Sequence, residues 1–251
     1  MTKVELLAAI ARDETIENID LSGLDLAGAD LSGARFENVS FRGANLAGAR
    51  IRRTGFKHCD LFGAVLNDVD LTKVLWIRMD LRGVILRRAT LERAVLSGAD
   101  FSEADLSGAD LSRAVMDNAK LENANLTGAK TFRTMLYRAS LKGADLTGAD
   151  LSRAIFFEAD LSGTRLKGTK LFKTFLRNSD LSGQDFRGAE FTMCQAGGAN
   201  MRGADLTGAD ITMTNFMNAD LTGANLEKVK GRRTAFLDAI LPGVSLRDAD
   251  L

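Results

Sequence analysis

The residues that could do nucleophilic or metal chemistry are few in this sequence. It contains one histidine, His58, and two cysteines, Cys59 and Cys194. No base and orienting group can be placed around His58 from the sequence, and no HExxH, CxxC or phosphate-binding loop motif occurs. We therefore expect no enzymatic activity, no bound metal and no cofactor.

Basic residues recur at a spacing that could instead bind anions. Seven successive positions, each twenty residues after the last, are basic: Arg53, Lys73, Arg93, Arg113, Arg133, Arg153 and Lys173. We call these residues the basic column. A run of this length indicates that residues twenty apart lie directly above one another. Such a column could contact carboxylates of a protein, or phosphates of a nucleic acid or an anionic membrane surface.

An apolar series is predicted beside the basic column, at a position that is usually Asp or Asn elsewhere in the chain. We call its nine residues the apolar stripe: Leu75, Val95, Val115, Met135, Ile155 and Phe175, flanked by Ile77, Tyr137 and Phe157. Over six levels of the fold these side chains would cover roughly a few hundred Å², where exposed apolar area begins to indicate an interface. The alternative is that they only pack on one another.

Acidic residues form a further series, which we call the acidic wall: Asp20, Asp60, Asp80, Asp100, Asp160, Asp180 and Asp220. The sequence has 33 basic and 33 acidic residues, so its net charge is zero and any electrostatic signal depends on placement. The structural explanation for the wall is that Asp side chains accept hydrogen bonds from nearby backbone.

These series must be positioned by a fold with a period of five. From Ile16 to Leu251 every fifth residue is large and apolar, except at Thr131, Ala196 and Gly231, and the residue two positions earlier is usually small. A period of five matches neither an α-helix nor a β-strand. It predicts a chain that turns a corner every five residues and gains stability by stacking one turn on the next.

The repeated unit resembles the pentapeptide-repeat family, whose pattern A(D/N)LXX occurs as ADLSG, ADLTG and ANLTG. The resemblance implies an all-β fold, a right-handed quadrilateral β-helix with four pentapeptides per coil. It covers residues 16–251, which would form about twelve coils and a rod of roughly 55–60 Å.

Residues 1–15 are predicted to form an N-terminal capping helix. Thr2 and Glu5 match a capping box, and Val4, Leu7 and Ala8 share the helical face that we expect to seal the first coil. Within the repeats, Gly after the large residue suits a turn with positive φ, whereas Arg or Lys suits ordinary αR angles. The basic column is therefore predicted to use a different turn type.

The inward positions of Thr131 and Gln184 predict local irregularities of the coil. At the C-terminal end the repeat runs to the last residue without a cap, so we expect a homodimer through the open coil or a longer natural chain. The dimerisation residues would be Phe236, Leu241, Leu246 and Leu251. Two unpaired cysteines, no signal peptide and no membrane span predict a soluble, cytoplasmic protein.

The function predicted from these features is that of a rigid, non-enzymatic scaffold that binds a protein through the apolar stripe and the basic column. The family resemblance implies an alternative, a DNA-mimicking protein of the Qnr-like type that binds gyrase or another type II topoisomerase. The zero net charge and the uninterrupted repeat differ from that type. Direct binding of nucleic acid or of an anionic membrane is the least favoured interpretation.

Overall fold

Stacking at steps of twenty residues builds the fold, which a computed structural model describes for residues 1–251. Strands β1 (Thr15–Glu17), β2 (Arg35–Glu37) and β3 (Gly55–Lys57) form a parallel sheet in the order β1-β2-β3. Parallel bridges continue the same step along the chain as far as Lys230 and Asp250. The predicted register of four pentapeptides per coil is therefore confirmed, and the coils form a four-sided parallel β-helix.

The four faces are numbered by their central residues: face 1 contains residues 36, 56 and 76, face 2 contains 41, 61 and 81, face 3 contains 46, 66 and 86, and face 4 contains 51, 71 and 91. The large and small residues of each unit point inward and form one core of 72 buried residues. Aromatic rings stack inside face 1, where the centroids of Phe216 and Phe236 are 5.5 Å apart. This burial of apolar surface is the main stabilising term, because a single coil buries little.

Every corner of the coil uses a residue with positive φ. These residues occur at every fifth position from Asp13 to Asp248, and 27 of them are not glycine. Arg113 has a φ of 60° and Gly108 a φ of 66°, and at both corners the following N–H donates to the carbonyl three residues back. These are type II turns. The prediction of a different turn type for the basic column is therefore wrong, and its residues adopt a backbone that favours glycine.

Helix α1 spans Lys3–Ala11 and covers the first coil, as predicted. The capping box is formed in full: the backbone N–H of Glu5 donates to the Thr2 hydroxyl, and the Thr2 N–H donates to the Glu5 carboxylate. The predicted buried face is wrong, however, because Val4 is 78% exposed. The helix is turned so that Leu6 and Ala9 are its buried residues.

The ladder of backbone hydrogen bonds opens at two seams, although the register is kept. The first seam lies between residues 51–61 and 70–80, where no backbone hydrogen bond joins the two segments. The second seam lies between residues 163–168 and 182–187 and is lined in part by Gln184, while Lys170 and Glu190 beside it are still bridged. The irregularity predicted at Gln184 is therefore present, whereas Thr131 lies in a coil whose bond to Asp150 is intact at 2.9 Å.

Candidate interaction surface

The basic column lies at the corner between face 4 and face 1. Because each member follows the inward residue of face 4 by two positions, the seven side chains project outward from successive coils, ~4.8 Å apart. Five of them are exposed, while Arg153 and Lys173 are half-buried. The structure thus brings together all seven residues that the sequence predicted as a column.

Few carboxylates neutralise the basic column. Glu92 is the only acidic partner, with its Oε1 at 3.5 Å from Nε of Arg93 and at 3.9 Å from Nη1 of Arg113. The other five cations have no carboxylate oxygen within 4.0 Å. The column therefore carries an unbalanced positive charge in a protein whose net charge is zero.

Aromatic rings lie between several of these cations, which the sequence interpretation missed. The ring of Phe132 has the guanidinium carbon of Arg133 at 5.4 Å and that of Arg153 at 5.7 Å, and the ammonium of Lys173 lies 5.1 Å from the ring of Phe172. These are cation–π distances. These contacts could have been predicted from the sequence, because Phe132 and Phe172 lie two coils apart on the outward side of face 4, each next to a residue of the basic column.

The apolar stripe forms one continuous ladder along face 1. Parallel bridges join its six central residues in order from Leu75 to Phe175. Its ends are the most exposed parts: Leu75 is 71%, Ile77 57% and Phe175 45% accessible, whereas Val95, Val115 and Ile155 are half-buried. The members of the stripe thus pack on one another and still present apolar surface.

Tyr137 and Phe157 extend the stripe on the side away from the basic column. Their rings are stacked, with centroids 5.6 Å apart and planes at 20°. The guanidinium carbon of Arg138 lies 4.8 Å from the Tyr137 ring, and Nε of Arg138 donates to Oε2 of Glu158 at 2.6 Å. At Tyr137 and Phe157 this edge of the stripe is consequently bordered by a neutralised pair.

The acidic wall has a structural role. All seven of its carboxylates accept a hydrogen bond from the backbone N–H two residues further on, for example Ser22 to Asp20 at 2.8 Å and Thr222 to Asp220 at 2.9 Å. These bonds lower the pKa of Asp220 to about 2, together with the Thr222 hydroxyl and the Arg202 side chain. The wall therefore fixes the turns of face 2.

The thiols and the histidine do not form a reactive group. Burial raises the pKa of the Cys194 thiol to about 12, and its Sγ contacts the carbonyl oxygen of Leu171. Cys59 is half-buried, which also raises its pKa, and His58 points into solvent. No group of three His, Cys, Asp or Glu side chains is close enough to hold a metal ion.

The last coil of this sequence contains the residues predicted for dimerisation. Leu241, Leu246 and Leu251 are 39%, 45% and 55% exposed, whereas Phe236 is partly covered by its stacking on Phe216. At the other end of the molecule, α1 is the one helix, and it is too short to cross a lipid bilayer.

These features define a β-helical repeat protein with one charged and apolar corner. The family model for pentapeptide repeats matches eight copies, and the matched segments together cover residues 19–57, 59–130 and 136–230. The chain therefore belongs to the pentapeptide repeat family, and its fold is a right-handed quadrilateral β-helix. Proteins of this family generally act as structural or interaction proteins rather than as enzymes.

Solved structures similar to this chain include HetL, a pentapeptide repeat protein involved in heterocyst differentiation regulation from the cyanobacterium Nostoc sp. strain PCC 7120. It is 31% identical, with 100% of this chain and 95% of HetL covered and a TM-score of 0.38. A pentapeptide repeat protein from the Arabidopsis thaliana thylakoid lumen is 37% identical, with 37% of this chain and 68% of that protein covered and a TM-score of 0.32.

QnrB1, a plasmid-mediated fluoroquinolone resistance protein, is 18% identical, with 72% of this chain and 90% of QnrB1 covered and a TM-score of 0.40. A comparison with curated protein sequences gives no match.

Proposed function

We propose that this protein is a rigid scaffold that binds a protein partner through the apolar stripe and the basic column. The observation that carries the proposal is the unbalanced charge: five of the seven cations of the basic column have no carboxylate partner, and the column borders a ladder of partly exposed apolar side chains. The cations stand on positive-φ corners, where each costs about 1–2 kcal/mol of backbone strain. The corresponding corners of faces 2 and 3 are mostly glycine.

The chemistry of the surface favours a partner with an apolar edge bordered by carboxylates. Aliphatic and aromatic side chains of the stripe would supply buried contact area, and the basic column would set the orientation and speed the encounter. A nucleic acid is less favoured, because the apolar stripe offers nothing to a phosphate backbone. For this role we expect the protein in the cytoplasm.

The test is affinity capture from the native cell followed by mass spectrometry, with a matched pair of double variants. Val115→Asp with Ile155→Asp places two carboxylates in the stripe. Val65→Asp with Ile85→Asp makes the same change at two bridged, half-buried outward positions of face 3. Circular dichroism should show that both double variants fold.

We expect the stripe variant to lose a protein that the wild type and the face 3 variant both retain. Equal recovery from all three proteins would show that a different surface binds, and loss from both double variants would mean that added charge alone prevents capture.

We further propose that two copies associate end to end through the last coil of this sequence, the alternative being a longer natural chain whose next coil covers the same residues. Leu241, Leu246 and Leu251 expose apolar side chains there, and the outer backbone groups of the coil lack a neighbour. Such an edge favours pairing with another chain. Light scattering should give twice the monomer mass, and Leu246→Glu should restore the monomer. A monomeric wild type at micromolar concentration would contradict the proposal.

A further inference from the structure

The first seam forms a cleft. Arg53, Lys73 and Leu75 of the proposed scaffold surface line one part of it, whereas Arg52, Phe56 and Trp76 lie outside that surface. Eight backbone N–H groups that would bond to the neighbouring coil in a closed ladder have no partner there: Ile51, Arg53, Phe56, His58, Leu61, Asp70, Leu75 and Asp80. One coil later the same positions are paired, as in Leu71 N–H to the Thr90 carbonyl at 2.7 Å and Trp76 N–H to the Val95 carbonyl at 2.9 Å. Unpaired backbone groups are costly when they are withdrawn from water, so this opening needs a physical cause.

The cause of the opening is side-chain volume. Trp76 occupies an inward position that is leucine in most units, and it meets the Phe56 ring edge to face, with centroids 6.0 Å apart and planes at 83°. Val74 and Met79 fill two positions where alanine is usual, and both pack against the core. On face 3 the ladder remains closed, because Leu46 still bonds to Val65 at 2.7 Å. The seam is therefore a wedge that is hinged on face 3.

The cleft has the size and lining of a binding site. Its volume is about 720 Å³, within the range of protein ligand pockets. Phe56 and Trp76 form its apolar floor, while Arg52, Arg53 and Lys73 lie at its mouth. The only ion pair across the mouth joins Nη2 of Arg52 to Oδ2 of Asp70, at 3.6 Å.

In the second seam backbone N–H groups such as those of Leu166 and Gly168 also lack a partner, but side chains bond across the gap. There Nε2 of Gln184 donates to the Leu161 carbonyl at 2.8 Å, and the Thr164 hydroxyl donates to the same oxygen at 2.7 Å. That opening is also smaller, with a volume of about 320 Å³. In the first seam no side chain donates across the gap to a backbone carbonyl, so its strand edges stay available.

We propose that the first seam binds an extended peptide segment that carries carboxylate side chains. We call the two edges of the seam, residues 51–61 and 70–80, its lips. Each lip presents alternating N–H and C=O groups, an array that another extended backbone complements by β-augmentation. The three cations at the mouth exceed the single Asp70 carboxylate and select acidic side chains. A strand paired with both lips needs them ~9.6 Å apart, twice the usual strand spacing, so binding widens the wedge about face 3.

Hydrogen exchange measured by NMR tests the proposal directly. In the free protein, the unpaired amides of Ile51, Phe56 and Leu61 should exchange at least about tenfold faster than the paired amides of Leu71 and Trp76. The probe is an acetylated and amidated ten-residue peptide of alternating Asp and Val, with alternating Lys and Val as its control. We expect the acidic peptide to bind with a micromolar Kd and to slow exchange along both lips.

Four variants separate the cleft from other surfaces. Trp76→Leu should let the lips close and lower the affinity for the acidic peptide at least about tenfold, whereas Phe156→Leu, an inward aromatic of face 1 in an intact ladder, should not. Arg52→Glu should weaken binding without altering the core, which keeps the test valid if Trp76→Leu fails to fold. Because Arg52 and Trp76 lie outside the proposed scaffold surface, Val115→Asp with Ile155→Asp should leave peptide binding unchanged.

Protection of the lip amides by the acidic peptide alone, lost in Trp76→Leu or Arg52→Glu, would support the proposal. Equal binding of the Lys–Val peptide, protection elsewhere on the molecule, or no binding at all would overturn it.

Discussion

Replacing Arg113 by glycine should make the β-helix more stable. Arg113 has a φ of 60°, and left-handed backbone costs a residue with a Cβ about 1–2 kcal/mol. Glycine removes this cost but adds about 0.4–1 kcal/mol of conformational entropy to the unfolded chain. Loss of the 3.9 Å contact with Glu92 subtracts only a few tenths of a kcal/mol, because both side chains are more than 40% exposed.

Taken at the middle of each range, these terms predict that the free energy of unfolding rises by about 0.5 kcal/mol in Arg113→Gly. The matched reverse change is Gly148→Arg. Gly148 has a φ of 68°, and a Cβ built there would meet no heavy atom within 4 Å, so only the backbone is tested. That variant should lose a similar amount of stability.

Urea unfolding followed by circular dichroism measures both variants against the wild type. A destabilised Arg113→Gly, or a Gly148→Arg with unchanged stability, would refute the reasoning that these corners are strained. Capture of the partner by Arg113→Gly should be weaker even though the protein is more stable, because the substitution removes a charge from the basic column.

Three further outcomes are expected. The pKa values of Asp185 and Asp220 are held at about 2, below the ordinary 3.8, chiefly by hydrogen bonds from the side chains of Arg187 and Thr222. The stability that depends on their ionisation is complete above about pH 4 and is lost as the pH falls towards 2, so the urea midpoint should fall over that interval; a midpoint that rises there would contradict the assignment. Cys194, whose pKa burial raises to about 12, should react with a thiol reagent only on unfolding, and rapid modification of the native protein would show that the coil opens at this site. In a gyrase supercoiling assay, micromolar protein should neither inhibit nor protect the enzyme, whereas either effect would favour the Qnr-like alternative.

The coil register could be predicted from the sequence because it depends on which residue types recur at which spacing. A five-residue alternation of large and small residues defines the corners, and seven cations at steps of twenty define the stack. The same reasoning placed the basic column and the apolar stripe side by side, since both follow from register alone. Their roles in binding remain predictions.

Other features could not be predicted because they depend on energy balances that residue type does not reveal. Arg113 and Gly108 share one turn geometry because the stacked coils impose it, and the arginine tolerates the strain. The buried face of α1 depends on how the helix rests on the first coil, which left Val4 exposed. The first seam depends on whether side chains as large as Trp76 and Met79 force two coils apart. The pattern of apolar positions shows only that both residues point inward.

The most direct test of the central claim is the hydrogen-exchange footprint of the partner that the wild type captures. The claim predicts slower exchange at residues 112–117, 132–137 and 152–157, which form the corner between face 4 and face 1. Amides of faces 2 and 3 in the same coils should be unaffected. Protection confined to those two faces, with none at this corner, would contradict the claim.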